Sequence, residues 1–142
     1  MKSRILAIDY GLKRVGIAVT DVEKIIAIPL VTISSNELFN FLVSYCSREH
    51  VEKIVIGCAG DVDPNTDIIK ATRNVFDKVK EIFKNINVEL YDERYTSKIA
   101  YHMLINGGFK KKDRNPKKVL DKMSASVILQ SYLDRVNLVG GV

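Results

Sequence analysis

Arg4-Ile5-Leu6-Ala7-Ile8-Asp9-Tyr10-Gly11-Leu12-Lys13-Arg14-Val15-Gly16-Ile17-Ala18-Val19-Thr20 reads as two strands joined by a tight turn. Arg4 to Asp9 is nearly all apolar, as a strand buried on both faces should be, and Val15 to Thr20 is rich in β-branched residues. The turn between them, Tyr10 to Arg14, is too short for a helical crossover, so the pair is antiparallel. Gly11 is expected to supply a positive φ there. A third β-branched run, Ile25 to Ile33, follows the polar Asp21-Val22-Glu23-Lys24, which completes an antiparallel meander. The buried lead-in gives Asp9 its interest, because a carboxylate at the end of such a strand is costly unless it is paired or bound to a metal ion.

Working outward, the pattern changes from strand to helix. After Ser34-Ser35, either of which suits a helix N-cap, Leu38, Phe41, Leu42, Tyr45 and Cys46 recur at helical spacing. Lys53 to Gly57 is a short buried strand, followed by the polar loop Gly60 to Asn65. From Asp67 the set Ile68, Thr72, Val75, Phe76, Val79, Ile82 and Phe83 marks a second helix, and Val88 to Tyr91 is a fifth strand. A third helix is expected from Thr96 or Ser97 through Leu104, stopped by Gly107-Gly108. Pro116 suits the first turn of a last helix, whose stripe would be Asp121, Ala125, Ile128 and Tyr132. Each later strand needs a helical crossover to run parallel to its predecessor. The expected fold is therefore α/β, a mixed five-stranded sheet with helices on both faces.

The chain has 142 residues, 46% of them apolar, with no linker-like stretch, so a single domain over residues 1–142 is expected. Cys46 and Cys58 stand apart from any Cys/His cluster, which excludes a zinc-binding pattern and a disulfide framework. No apolar run approaches bilayer length and no signal segment opens the chain, so the expected setting is cytosolic, without a membrane. His50 and His102 read as ordinary surface or boundary residues. The formal charge of +5 is concentrated in one place: Lys110, Lys111, Lys112, Arg114, Lys117 and Lys118 stand against one Asp, an excess equal to that of the whole chain. Such a block is an electrostatic footprint for a phosphate backbone.

Three acids sit where regular elements meet loops: Asp9, an acid after the fifth strand, and Asp121 near the start of the last helix. In Asp92-Glu93 side chains alternate, so only one of the two acids can face a given site, and alternation alone does not choose. Acids brought together would repel one another, which makes Mg²⁺ or Mn²⁺ the natural neutraliser. Such a centre suits metal-assisted phosphodiester hydrolysis. Arg14 and Arg94 are placed either to pair with local carboxylates or to hold a phosphate. Tyr10 and Tyr95 flank two of the acids, where they serve either for base stacking or for packing.

The run Ile8-Asp9-Tyr10-Gly11-Leu12-Lys13-Arg14-Val15-Gly16 resembles the opening of the YqgF family, also called RuvX, of the ribonuclease H-like superfamily. In the same order follow Ile54-Val55-Ile56-Gly57, Asp92-Glu93-Arg94-Tyr95-Thr96, Asp121-Lys122-Met123-Ser124-Ala125 and Ile128 to Leu133, so the resemblance covers nearly the whole chain. It implies a ribonuclease H-like fold and a nuclease associated with precursor 16S ribosomal RNA processing or Holliday junction resolution. Asp9, Glu93 and Asp121 would be its catalytic, metal-binding carboxylates. Cys58-Ala59-Gly60-Asp61 departs from the family's Leu-Pro type loop, on what would be the substrate side.

The expected activity is a divalent-metal-dependent nuclease acting on structured nucleic acid, foremost the 5′ end of precursor 16S ribosomal RNA, with ribosomal components as further partners. Branched DNA is the alternative substrate, and a non-catalytic nucleic-acid-binding protein on the same scaffold is the alternative class. A junction resolvase needs two sites about a two-fold axis, yet no exposed apolar stripe marks a dimer interface, so monomer and homodimer both stand. An ATP-handling protein of the actin and sugar-kinase type also opens with a strand ending in Asp-x-Gly. That type needs two such domains, for which this chain is too short.

Overall fold

The computed structural model describes residues 2–58, 63–93 and 116–140, with side chains of the last segment described for 124–137. The expected third helix, Arg94, Tyr95, Lys110, Lys111, Lys112 and Arg114 lie outside the described residues. Strands β1 (Arg4–Tyr10), β2 (Arg14–Thr20) and β3 (Ala27–Ser34) form the meander. Helix α1 (Leu38–Arg48), strand β4 (Val51–Cys58), helix α2 (Asp67–Ile82), strand β5 (Asn87–Asp92) and helix α3 (Pro116–Gly140) follow. The sheet order is β3-β2-β1-β4-β5. The meander is antiparallel, whereas β4 runs parallel to β1 and β5 parallel to β4. The mixed five-stranded sheet expected from the sequence is the one observed.

Strand β1 is central and buried on both faces, with Leu6, Ala7 and Ile8 wholly inaccessible. Its even-numbered residues join Val15, Ile17, Ile54 and Ile56 against Leu38, Leu42, Tyr45, Val75 and Val79 of α1 and α2. Its odd-numbered residues, Ile5 and Ala7, join Ala18, Ala27, Val55 and Tyr91 against Ala125, Ile128, Leu129, Tyr132 and Leu133 of α3. The period of two along β1 thus divides one strand between two cores. Pro116 begins α3 as expected. Three polar contacts seat α3 on the sheet. Gln130 Oε1 accepts from the Ala27 amide at 3.0 Å, Tyr91 and Ser131 hydroxyls lie 2.8 Å apart, and Tyr132 OH donates to Glu89 at 2.9 Å. Among the described residues no helix is long and apolar enough to cross a membrane.

Four expectations are corrected by local chemistry. Strand β3 begins at Ala27 instead of Ile25, because Asp21 Oδ1 accepts the Ile25 and Ile26 amides at 2.7 and 2.9 Å and takes them from the ladder. Burial acts to raise the Asp21 carboxyl pKa, but the Ile26, Ile25, Glu23 and Asp21 amides together hold it below its ordinary value. Neither Ser34 nor Ser35 caps a helix by its side chain; a 3₁₀ turn over Ser35–Glu37 leads into α1, and Ser35 Oγ donates to the Leu12 carbonyl at 2.7 Å. In α2 the fully buried position is Ile69, while Ile68 is half-buried at the end of the sheet.

The fourth correction concerns Gly11, which does not take a positive φ; among the described residues only Lys24 does, at 58°. Gly11 is needed for a close approach instead. Its amide donates to the Arg14 carbonyl at 2.9 Å, and a Cβ on residue 11 would stand 2.6 Å from that oxygen. The contact is with backbone, which cannot swing aside. Gly11→Ala is therefore expected to lower stability by about 1–3 kcal/mol, against less than about 0.5 kcal/mol for Lys13→Ala in the same turn. Urea unfolding of the two variants checks this, and equal midpoints would contradict it.

Candidate active site

Asp9 lies at the carboxyl end of β1 on the face that α3 covers, continuing Ile5 and Ala7. Opposite it on β2 is Gly16. On the other side Ile8 pairs with Ile56, so Gly57 is the next step of β4 beside Asp9. Asp9 is thus flanked on both neighbouring strands by residues with no side chain. Glu93, just past the end of β5, leans into the second gap: its Cγ and Cδ lie 3.4 Å from the point a Gly57 Cβ would occupy. Ile128 Cδ1 of α3 lies 2.7 Å from that same point. The Gly57 gap is already filled by these two side chains.

The choice between Asp92 and Glu93 now has a geometric answer. Tyr91 belongs to the α3 core, so alternation along β5 turns Asp92 to the opposite face and brings Glu93 back to the face of Asp9. Asp92 pairs with Cys58 across the ladder. Burial raises the Cys58 thiol pKa, the charges of Asp92 and Glu93 raise it further, and Arg73 of α2 acts in the other direction.

Asp121 is on α3, three residues before Ser124 and four before Ala125, which places its position on the same helix face. Its side chain, like those of Lys117 and Lys118, lies outside the described residues. Ser124 Oγ and Ala125 Cβ are 3.7 and 3.8 Å from where a Gly16 Cβ would be, and Asp9 Cβ is 3.9 Å from it. Of the two glycines, Gly57 is the one whose missing side chain lets Ile128 of α3 and Glu93 come this close to the sheet. Among the described residues no three His, Cys, Asp or Glu side chains form a metal-holding group. Asp9 and Glu93 share a face and supply only hard carboxylate oxygens, the donors that a small divalent cation prefers.

A cleft of about 600 Å³ opens beside Asp9, lined by Tyr10, Gly11, Arg14, Gly16, Thr32, Ile68 and Ser124. Arg14 is exposed at the cleft and, among the described residues, has no ion-pair partner. Tyr10 packs its ring against the α1 and α2 core while contributing to the cleft wall, so packing is its main part. Sequence reasoning missed Thr32 and Ile68 as cleft residues and gave Gly57 no part. Nothing in a single strand pattern marks a glycine as the space that a distant acid will use.

A mixed sheet in this order, covered by helices and carrying acids at the carboxyl ends of its parallel strands, defines a protein of the ribonuclease H-like fold. T. thermophilus RuvC, solved in complex with a Holliday junction substrate, superposes with a TM-score of 0.58 at 12% identity, covering 94% of this chain and 96% of that one. The fowlpox virus Holliday junction resolvase gives 0.55 at 17% identity, covering 93% and 99%. In sequence, residues 3–135 match the profile of RuvX, described as Holliday junction resolvase. A protein of Amoebophilus asiaticus is 50% identical over 131 residues, covering 92% of this chain and 93% of the relative. One of Phocaeicola vulgatus is 45% identical over 135 residues, covering 93% and 96%. Both bear the name "Putative pre-16S rRNA nuclease". The chain belongs to the RuvX family.

The position of the Glu93 carboxylate has a readout that needs no activity. Removing its charge in Glu93→Gln lowers the Cys58 pKa and enlarges the thiolate fraction. Iodoacetamide labelling of Cys58 near neutral pH, followed by peptide mass spectrometry, is expected to speed up by roughly twofold or more. An unchanged rate would put the carboxylate away from Gly57 and Cys58.

Proposed function

We propose that this chain is a divalent-metal-dependent nuclease that hydrolyses phosphodiester bonds in structured RNA, and that its substrate is the 5′ end of precursor 16S ribosomal RNA. The observation that carries this reading is the approach of Glu93 to the face of Asp9 through the space left by Gly57. Two carboxylates on one wall offer a divalent cation a set of hard oxygen donors. The names borne by the relatives support the RNA substrate and the fold supports phosphodiester chemistry.

Asp9, Glu93 and Asp121 would hold the cation. The chemistry supplied by bound Mg²⁺ or Mn²⁺ is Lewis-acid stabilisation of the charge that builds on the phosphate during in-line attack by water. Asp9 is fixed by the β1 ladder, so little reorganisation is needed at the moment of reaction. Arg14 stands at the cleft mouth, where a guanidinium holds a phosphate oxygen pair. The Lys110 to Lys118 block leads into α3 and draws the polyanion toward the acids, with Arg94 beside Glu93 as a further phosphate contact. The setting is cytosolic, in company with ribosomal components.

The test is cleavage with Mg²⁺ or Mn²⁺ of precursor ribosomal RNA ends, single-stranded RNA, duplex DNA and a four-way junction. Asp9→Asn is expected to lower cleavage by about 100-fold or more while binding stays near that of the wild type. Cleavage of the junction alone would replace the RNA reading with the resolvase one. Binding of nucleic acid without cleavage under either metal would leave a non-catalytic binding protein.

A further inference from the structure

The cleft beside Asp9 extends away from Glu93, over β2 toward β3, and its far wall carries two hydroxyls, Thr32 and Ser124. The place of Thr32 there depends on an irregularity in the sheet. Ala27 and Pro29 of β3 pair with Thr20 and Ala18, on the face that α3 covers. Strict alternation from those residues would turn Thr32 to the opposite face. The ladder slips between Ile17 and Ala18 instead: Pro29 opposes Ala18 while Val31 opposes Ile17, which leaves Leu30 as an extra residue. Such a bulge re-aims every side chain that follows it. Val31 and Ile33 are thereby packed against the α1 and α2 core, and Thr32 is set opposite Gly16 on the face of Asp9.

Ser124 reaches the same place from α3, with its Oγ 3.7 Å from where a Gly16 Cβ would sit. Among the described residues neither hydroxyl has a hydrogen-bond partner. Arg14, two residues before Gly16 on β2, shares their face and the cleft. The end of the sheet therefore presents a row: Glu93 over Gly57, then Asp9, then Gly16, then Thr32 with Ser124 above. Acids stand on one side and hydroxyls on the other. A nucleotide seated in the cleft meets the hydroxyls when the neighbouring phosphate is at the acids. Hydroxyls donate and accept, as a ribose 2′-hydroxyl does, and deoxyribose offers no counterpart.

We propose that Thr32 and Ser124 form a ribose subsite that reads the 2′-hydroxyl of the nucleotide flanking the scissile phosphate, with Arg14 holding that nucleotide's phosphate. The subsite rests on the nuclease reading above and adds to it the choice of RNA over DNA. The bound strand crosses the end of the sheet from β5 toward β3, with its sugar in the cleft that Thr32 and Ser124 line.

The test is fluorescence anisotropy with a short single-stranded RNA and the all-deoxy strand of the same base sequence. The wild type is expected to favour the ribose strand by about tenfold, and Thr32→Val/Ser124→Ala to lose that preference by weakening RNA alone. Thr32→Ser keeps the hydroxyl and the preference. Arg14→Gln weakens both strands by the same factor. A ribose-to-deoxyribose ratio that the double variant leaves unchanged, equal weakening of both strands by it, or no preference in the wild type overturns the subsite. Cleavage of the same RNA by wild type and Asp9→Asn separates the two ideas: ribose preference without cleavage supports the subsite and ends the nuclease reading, whereas cleavage with an unchanged ratio ends the subsite.

Discussion

Helix α3 packs against the sheet over two residues that present no side chain to it, Gly16 and Gly57. Ser124 and Ala125 rest over the first glycine and Ile128 over the second. The core on that face closes around this approach, with Leu129 wholly buried and Tyr132 edge-on to Tyr91. The same packing sets Ser124 and Ala125 of α3 at the end of the sheet where Asp9 lies. Packing and site are consequences of one constraint. A Cβ at position 57 would first meet the tip of Ile128 and then Glu93, whereas one at position 16 would sit in ordinary contact with Ser124, Ala125 and Asp9.

The anchoring groups reinforce that geometry at a distance from the acids. Lys53 Nζ donates to Tyr132 OH at 2.5 Å and lies 3.6 Å from Glu89, so the helix is tied to β4 and β5 by a small polar cluster. Burial lowers the Lys53 pKa less than Tyr132 and Glu89 raise it, and the lysine stays charged there. Gln130 ties the other side of α3 to the first residue of β3. The helix is thereby held at both sheet margins. The bulge at Leu30 then acts on a fixed background, changing which β3 residues look toward α3 and leaving both cores intact.

Much of this was legible beforehand, and the reasons differ by element. The two-faced burial of β1 shows in an unbroken apolar run, and the short connections of the meander force antiparallel pairing. Pro116 marked the start of α3 through its fixed φ. Less legible were the turns: Gly11 was read for a dihedral it does not adopt, because close approach and positive φ leave the same residue in a sequence. Ser34 and Ser35 were read as helix caps, but Ser35 spends its hydroxyl on Leu12 in another turn. Residue type announces a capability, and the partner decides its use.

By itself the sequence determined the strand and helix order, the division of β1 between two cores, and the position of Asp9 at the end of a buried strand. These follow from local periodicity and from connection length, which act over a few residues. Only the tertiary structure decided that Glu93 and not Asp92 shares the face of Asp9, that Gly57 leaves the space between them, and that Thr32 looks into the cleft. Those outcomes depend on ladder register and on a one-residue slip between strands. Register is fixed by the balance of packing across the whole sheet, and a period-two pattern looks the same whichever face it is given.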